Sequence, residues 1–146
     1  MPNRSNLLHS YNAAEVIMNF IGIPILGLAD GTFVNVERNE DAFGLVSGSD
    51  GEGCRWSSNN RSGKVTFTLG QWAITNDLLS AVALVDELKG DGIGAFLMKD
   101  MSGRSLYSAE KAWIVKLPAA GYSRESSETR EWIIETNNLI MLVGGN

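Results

Sequence analysis

The feature that most constrains this chain is a strict alternation of apolar and polar side chains in the segment KVTFTL, residues 64–69. A period of two is typical of a β-strand that buries one face and leaves the other to water or a partner. Less regular runs of the same kind predict further strands. These lie at about 13–20, 21–31, 32–38, 42–46, 94–99, 105–117 and 128–143. The chain is therefore expected to be mainly β.

Individual residues within these segments refine the predicted arrangement of strands. Pro24 cannot donate a ladder hydrogen bond, so its segment is expected at a sheet edge or just beyond a central strand. Asn137-Asn138 predicts a bulge or bend in the long last strand. Trp113 and Trp132 lie in apolar strands and are expected in the core.

A single helix is predicted over about 76–89. Asn76 is the expected N-cap, Asp77 suits the positive end of the helix dipole, and Gly90 is the expected stop. Apolar residues recur at helical spacing. They are Leu78, Val82, Val85 and Leu88.

The segment 47–63, SGSDGEGCRWSSNNRSG, is rich in glycine, serine and asparagine and predicts a long loop. Residues 1–10 are polar and mixed, and predict an N-terminal arm before one domain over 11–146. No internal repeat or second domain is apparent. A chain of 146 residues is long enough to bury a sizeable core.

Composition excludes several classes of function. The net charge of −5 argues against a protein that grips nucleic acid, which needs clustered lysine and arginine. The apolar runs are far shorter than the ~20 residues that span a bilayer. The N-terminus does not look like a signal peptide, so we expect no membrane anchor and synthesis in the cytoplasm. Cys54 is the only cysteine, so no disulfide can form within the chain.

The residue pattern also argues against an enzyme and against a cofactor or metal site. His9, the only histidine, lies in the arm, far from any expected pocket. The glycines of 90–94 follow a helix, whereas a phosphate loop precedes one. Asp41, Asp50 and Glu52 lack the spacing of a calcium loop and are expected to be solvated.

Long runs of the chain resemble a known family. These runs are AEVIMNFIGIPILGLADGTFVNVERNEDAFGLV, RSGKVTFTL, TNDLLSAVALVDEL and REWIIETNNLIMLVGGN. They are similar to small structural proteins of phages, which we identify as tail tube subunits of contractile-tailed phages. The resemblance extends from Ser10 to Asn146 and includes no catalytic motif.

The resemblance implies a tail-tube-like β-sandwich or barrel with one helix. It further implies a virion protein whose rings, with six subunits each, stack into a hollow tube inside a contractile sheath. The expected partners are the chain itself, the tail sheath protein, and the baseplate or tail initiator and terminator proteins. DNA would pass through the lumen without specific binding, which agrees with the acidic composition.

The loop 47–63 is the predicted ring-to-ring contact, because its side chains offer charge, area and amide hydrogen bonds. The candidate interface residues are Arg55, Trp56, Asn59, Asn60 and Arg61. Several alternatives stay open. The loop 47–63 is a mobile surface segment and makes no contact, or the chain is a soluble binding module, for example for carbohydrate through its tryptophans. It is otherwise a tube protein of a related secretion system, or a sheath, terminator or baseplate protein of the virion, although sheath proteins are generally much longer.

Overall fold

The computed structural model describes residues 12–29, 31 and 33–145. A 3-10 turn (Ala13–Glu15) leads into ten strands and one helix, α1 (Thr75–Lys89). The strands are β1 (Val16–Phe20), β2 (Ile23–Pro24), β3 (Val34–Arg38), β4 (Phe43–Ser47), β5 (Gly53–Ser57), β6 (Gly63–Gly70), β7 (Gly94–Asp100), β8 (Leu106–Lys116), β9 (Thr129–Thr136) and β10 (Ile140–Leu142). The predicted arm, 1–10, and His9 with it lie outside the described residues. No helix in the part of the chain that the structure describes is long and apolar enough to cross a membrane.

Eight strands form one sheet in the order β2-β1-β7-β8-β9-β6-β3, with β10 paired to β8. Its named strands all pair antiparallel. Strands β4 and β5 form a separate two-stranded sheet. The predicted fold class, mainly β with one helix, is confirmed, and Pro24 lies in the edge strand β2 as expected.

The two ends of the large sheet are bridged by residues 25–29. Ile25 N donates a 2.9 Å hydrogen bond to Met18 O of β1, while Gly70 N of β6 donates one of 2.9 Å to Gly27 O. Gly27 has φ +80°, and a Cβ there would lie 2.4 Å from Ala73 Cβ, so only glycine fits this crossing. The sheet curls, so that residues 25–29 contact both β1 and β6. Because the described strands do not pair around a closed ring, the sheet is sandwich-like and is not a closed barrel.

The core lies on the inner face of this curled sheet. In β6 the predicted alternation is confirmed, with Val65, Phe67 and Leu69 buried. Trp132 of β9 is 1% exposed. Trp113, also expected in the core, is only half-buried, because it pairs with Glu135 on the outer face of the sheet.

The long predicted last strand is β9 followed by β10, interrupted at 137–139 as expected. Thr136 Oγ1 donates a 2.8 Å hydrogen bond to Lys111 O and accepts one of 3.3 Å from Asn138 N. The Thr136 hydroxyl thus bonds backbone groups where the ladder is interrupted. On either side of the interruption, β9 and β10 pair with successive parts of β8.

The helix begins and ends close to the predicted residues, but its start is built differently. Ile74, not Asn76, occupies the N-cap position, and it makes no side-chain cap. Asn76 Nδ2 donates to Gly70 O at 2.9 Å and Ala73 O at 3.0 Å, and its Oδ1 accepts from Trp132 Nε1 at 2.9 Å. The side-chain amide of Asn76, which was expected to cap the helix, instead accepts the hydrogen bond of the buried Trp132 indole. Gly90 ends the helix in the left-handed conformation, as predicted.

The helix residues that face the core are not the apolar ones whose spacing indicated the helix. The buried helix residues are Thr75, Leu79 and Ala83, which follow one another at four-residue spacing. Leu78 and Val85 are exposed, Leu88 is 83% exposed, and Val82 is half-buried. The apolar stripe read from the sequence therefore lies largely on the outside of the single chain.

The predicted long loop over 47–63 is corrected in its middle, where residues 53–57 form strand β5. The segment GCRWS carries only a short alternation, at Cys54 and Trp56, which the surrounding glycines and serines outweigh in the sequence. Its backbone is nevertheless paired, residue for residue, with β4. The irregular residues are the turn at 48–52 and the stretch 58–62.

Candidate interface site: a projecting hairpin

Strands β4 and β5 form a hairpin that continues the ribbon made by β3 and β6. The chain leaves β3 at Arg38, runs out along β4, turns, and returns along β5 to enter β6 at Gly63. Only the stretches 39–42 and 58–62, here called the neck, separate the hairpin from the main sheet. The segment therefore extends the sheet outward as a two-stranded arm.

The neck contains a one-residue shift of register. Asn39 N donates to Ser62 O at 3.0 Å, and Ser58 N donates to Ala42 O at 2.8 Å. Residues 40–41 lie between these bonds on one strand, whereas residues 59–61 lie between them on the other. One extra residue is the signature of a β-bulge, which bends a ribbon and increases its twist.

Side chains fix the conformation of the neck. Asn60 N donates to Ser58 Oγ at 3.1 Å, and Ser62 N donates to Asn60 Oδ1 at 3.0 Å. Asn39 Nδ2 donates to Ser62 Oγ at 3.1 Å across the ribbon. Short polar side chains that bond nearby backbone favour such irregular turns over a continuous ladder.

The neck is also tied to the body of the molecule through Leu139. Leu139 N donates to Arg61 O at 2.9 Å, and Arg38 Nη2 donates to Leu139 O at 2.9 Å. The Leu139 side chain is buried, so its backbone is held in place by the core. The direction in which the hairpin leaves the sheet is therefore set by the body.

The hairpin presents two different faces. Leu45 pairs with Arg55, and residues directly opposite each other share a face. Phe43 lies on that face too, and Arg55 Cζ lies 3.9 Å from its ring centroid, a cation–π contact. The opposite face carries Val46, Cys54 and Trp56.

Trp56 covers Gly44 across the ribbon. A Cβ added at Gly44 would lie 2.0 Å from Cζ2 of the indole, so the ring occupies the space that any other side chain would need. Glycine thus allows the indole to lie flat on the β4 backbone.

Neither hairpin face is covered by the described residues. Every residue of β5 and all of β4 except Gly44 are exposed. Leu45 is 69% exposed and Trp56 is 43% exposed. An isolated two-stranded hairpin is marginally stable in water, and a cluster of exposed apolar side chains usually marks a protein contact.

The five predicted interface residues are divided between two places. Arg55 and Trp56 lie on opposite faces of the hairpin, whereas Asn59, Asn60 and Arg61 lie in the neck. The neck residues border a polar cleft of about 250 Å³ with Asn137 and Asn138. Phe43, Leu45 and Val46 were missed as interface candidates, although the apolar run AFGLV directly before the glycine-rich segment was a usable signal.

The chain is similar in sequence to a structural protein of a phage. No protein-family model matches the chain. Structural protein ORF10 of Pseudomonas phage KPP10 is 32% identical over 141 residues, which cover 92% of this chain and 81% of that protein. The chain belongs to this family of phage structural proteins.

Solved structures share the fold at low sequence identity. The tube terminating cap of the anti-feeding prophage superposes with a TM-score of 0.65 at 8% identity, covering 93% of each chain. The sheath/tube terminator of the extracellular contractile injection system PVC gives 0.60 at 10% identity, covering 94% of this chain and 99% of its own. The sheath–tube complex of the same system gives 0.59 at 10% identity, covering 91% of each chain.

Family membership and fold together bear out the central expectations. The resemblance to structural proteins of phages is confirmed, and so is the predicted location in the virion. A place in the tail agrees with the fold that this chain shares with tube and terminator subunits. Among the described residues, the surfaces that matter for a structural protein are the exposed apolar ones, which another protein chain can bury.

Proposed function

We propose that the chain is the subunit of a phage tail tube, in which rings of six copies stack into a hollow conduit inside a contractile sheath. The observation that carries this proposal is the projecting hairpin. It is held in a fixed direction by its neck, and it exposes apolar side chains on both faces. In a stack of rings, neighbouring copies would cover those faces.

A tail terminator is the second candidate. Two of the structural neighbours are a tube terminating cap and a sheath/tube terminator, with TM-scores as high as that of the tube complex. A terminator must present one adhesive end and one inert end, because growth stops on it. This chain exposes apolar side chains both on its hairpin and at the start of α1, at Trp72 and Ile74. Two adhesive ends favour the tube subunit.

The outer face of strands β3, β6 and β9 suits a bore through which DNA slides. Thr66 and Thr68 lie on it, and a row across the strands places Glu37 beside Lys64 and Lys64 beside Glu135. The Lys64 Nζ to Glu37 Oε1 distance is 3.4 Å, so the lysine is already paired with an acid. Such a wall offers phosphates little positive charge, and DNA would pass without specific binding.

This role requires no catalytic residue, metal or cofactor, and we propose that the protein is not an enzyme. Its partners are further copies of itself, the sheath protein, and the baseplate or initiator and terminator proteins at the two ends of the tube. A tube protein of a related secretion system would use the same contacts. Specific binding of carbohydrate by a stable monomer would instead favour a binding module.

Negative-stain electron microscopy of the purified full chain, with its mass in solution, tests the proposal. A tube subunit forms hollow tubes of uniform width that lengthen with protein concentration. A terminator forms single rings and, when added to preformed tubes of its own phage, stops their growth. A monomer that neither assembles nor joins tubes would overturn both assignments.

A further inference from the structure

A second exposed apolar surface lies around the start of α1 and is here called the far-end patch; its residues are Leu26, Trp72 and Ile74. Thr75 Oγ1 donates to Leu26 O at 3.0 Å and accepts from Leu26 N at 3.2 Å, which fixes Leu26 beside the helix start. A Cβ on Gly27 would lie 3.4 Å from the Trp72 ring, so Trp72 lies beside the same segment.

The patch is more exposed than most apolar side chains of the body. Trp72 is 72% exposed, Ile74 69% and Leu26 62%. Trp72 lies flat against Gly70, where an added Cβ would be 2.5 Å from the indole Nε1. Trp56 packs on Gly44 in the same way. In both cases one face of the indole contacts glycine backbone and the other face is exposed.

The hairpin and the patch lie at opposite ends of strand β6. The hairpin enters β6 at Gly63 and projects away from it, and Trp72 follows its other end at Gly70. The eight residues of β6 span about 26 Å at ~3.3 Å each. A hairpin that points away from its own patch cannot cover it, so a hairpin that docks on the patch must come from another copy of the chain.

Charge favours a second copy of this chain as the occupant. The hairpin face with Phe43 and Leu45 carries Arg55. The exposed acid nearest in sequence to the patch is Asp77, in the first turn of α1. Asp77 follows Ile74 by three residues and so lies on the same side of the helix start. An apolar face with one arginine thus complements an apolar patch bordered by one carboxylate.

We infer that the Arg55 face of one copy's hairpin docks on the far-end patch of the next copy, with Arg55 paired to Asp77. This inference rests on the proposed function and names the surface that receives the hairpin. The contact is heterologous, since it joins different surfaces of the two copies. Such contacts add subunits in one direction without closing on themselves, as a growing stack requires.

Disulfide cross-linking within assembled protein tests the inference. The variant carries Cys54→Ser, Leu45→Cys and Ile74→Cys, so that only the hairpin face and the patch carry thiols. The matched control replaces Ile74→Cys with Leu88→Cys, which is also exposed and lies at the opposite end of α1. Mild oxidation of the tubes is followed by denaturing electrophoresis without reductant.

The expected result is a ladder of dimers, trimers and longer covalent chains from the Leu45→Cys, Ile74→Cys variant and monomers from the control. A dimer band without longer products would show a two-fold contact and overturn the inference. So would a ladder from the control, or monomers from both variants when both form tubes. If the parent chain forms no assemblies, the proposed function itself fails.

A charge exchange supplies an independent test. Arg55→Asp places two acids together at the contact and should lower mean tube length about tenfold or more, and Asp77→Arg in the same chain should restore it. If tubes of Arg55→Asp, or of Ile74→Ser, keep their parent length, the inference is wrong. A patch that a different tail protein covers would give that result for Ile74→Ser.

Discussion

Strands β5 and β6 are joined by only five residues, 58–62, yet they meet very different surroundings. Every second residue of β6 is buried in the core, whereas every residue of β5 is exposed. Strand β6 pairs along its length with two antiparallel neighbours, β3 and β9, whereas β5 pairs with β4 alone. The second difference is whether a layer of the described residues covers the strand. In β6 one face is covered in this way, and in the hairpin neither face is.

Substitution of Trp132 by alanine should have the largest effect on folding. The side chain is fully buried and its Nε1 donates to Asn76 Oδ1. We expect Trp132→Ala to lower the free energy of unfolding by ~3–5 kcal/mol, from lost burial and a cavity. Urea denaturation of the unassembled protein measures this. Trp113→Ala, on the outer face, is the control, and an equal loss there would contradict the assigned core face.

Asn76→Ala should have an intermediate effect on the body. It removes the acceptor for the Trp132 indole and the donor to two backbone carbonyls. We expect a loss of about 1–3 kcal/mol, the cost of leaving buried polar groups unpaired. Asn76→Asp keeps the acceptor for the indole but turns a carboxylate oxygen toward Gly70 O and Ala73 O, so it should lose at least as much as Asn76→Ala. If Asn76→Asp is as stable as the parent chain, the two bonds to the carbonyls contribute little.

Trp56→Ser should have the smallest effect on folding and a large one on assembly. Because the hairpin is exposed, we expect the free energy of unfolding of the single chain to change by about 0.5 kcal/mol or less. Tube formation should be strongly reduced, since the variant loses the broadest apolar side chain of its hairpin face. Denaturation and electron microscopy of the same preparation decide this. If Trp56→Ser strongly lowers the free energy of unfolding yet leaves tube formation intact, Trp56 serves folding and not assembly, which contradicts the comparison between hairpin and body.

The sequence predicted the body better than the interface, for identifiable reasons. The alternation in 64–69 and the stop at Gly90 reflect local rules, and both are confirmed. The stripe of Leu78, Val85 and Leu88 shows the limit of periodicity, because an apolar helix face can meet either the core or a partner. The partner of Asn76 lies 56 residues away in β9, beyond the reach of any capping rule.

The hairpin was harder to predict for a different reason. Strand β5, GCRWS, has no buried face, and its short alternation at Cys54 and Trp56 is outweighed by the surrounding glycines and serines, which indicate a loop. Its strand character comes from pairing with β4, a tertiary fact. The residues expected to form the contact all lie in the hairpin or its neck, and Arg55, Trp56, Asn59, Asn60 and Arg61 remain the predicted interface.

The most direct test of the account removes the hairpin and keeps the body. Because Ser58 N is hydrogen-bonded to Ala42 O, residues 43–57 can be replaced by an Asn-Gly turn that closes the ribbon at the neck. Electron microscopy and solution mass then compare this variant with the full chain. The account predicts tubes from the full chain and a folded, cooperatively unfolding monomer from the variant. Tubes of normal length from the variant would contradict it.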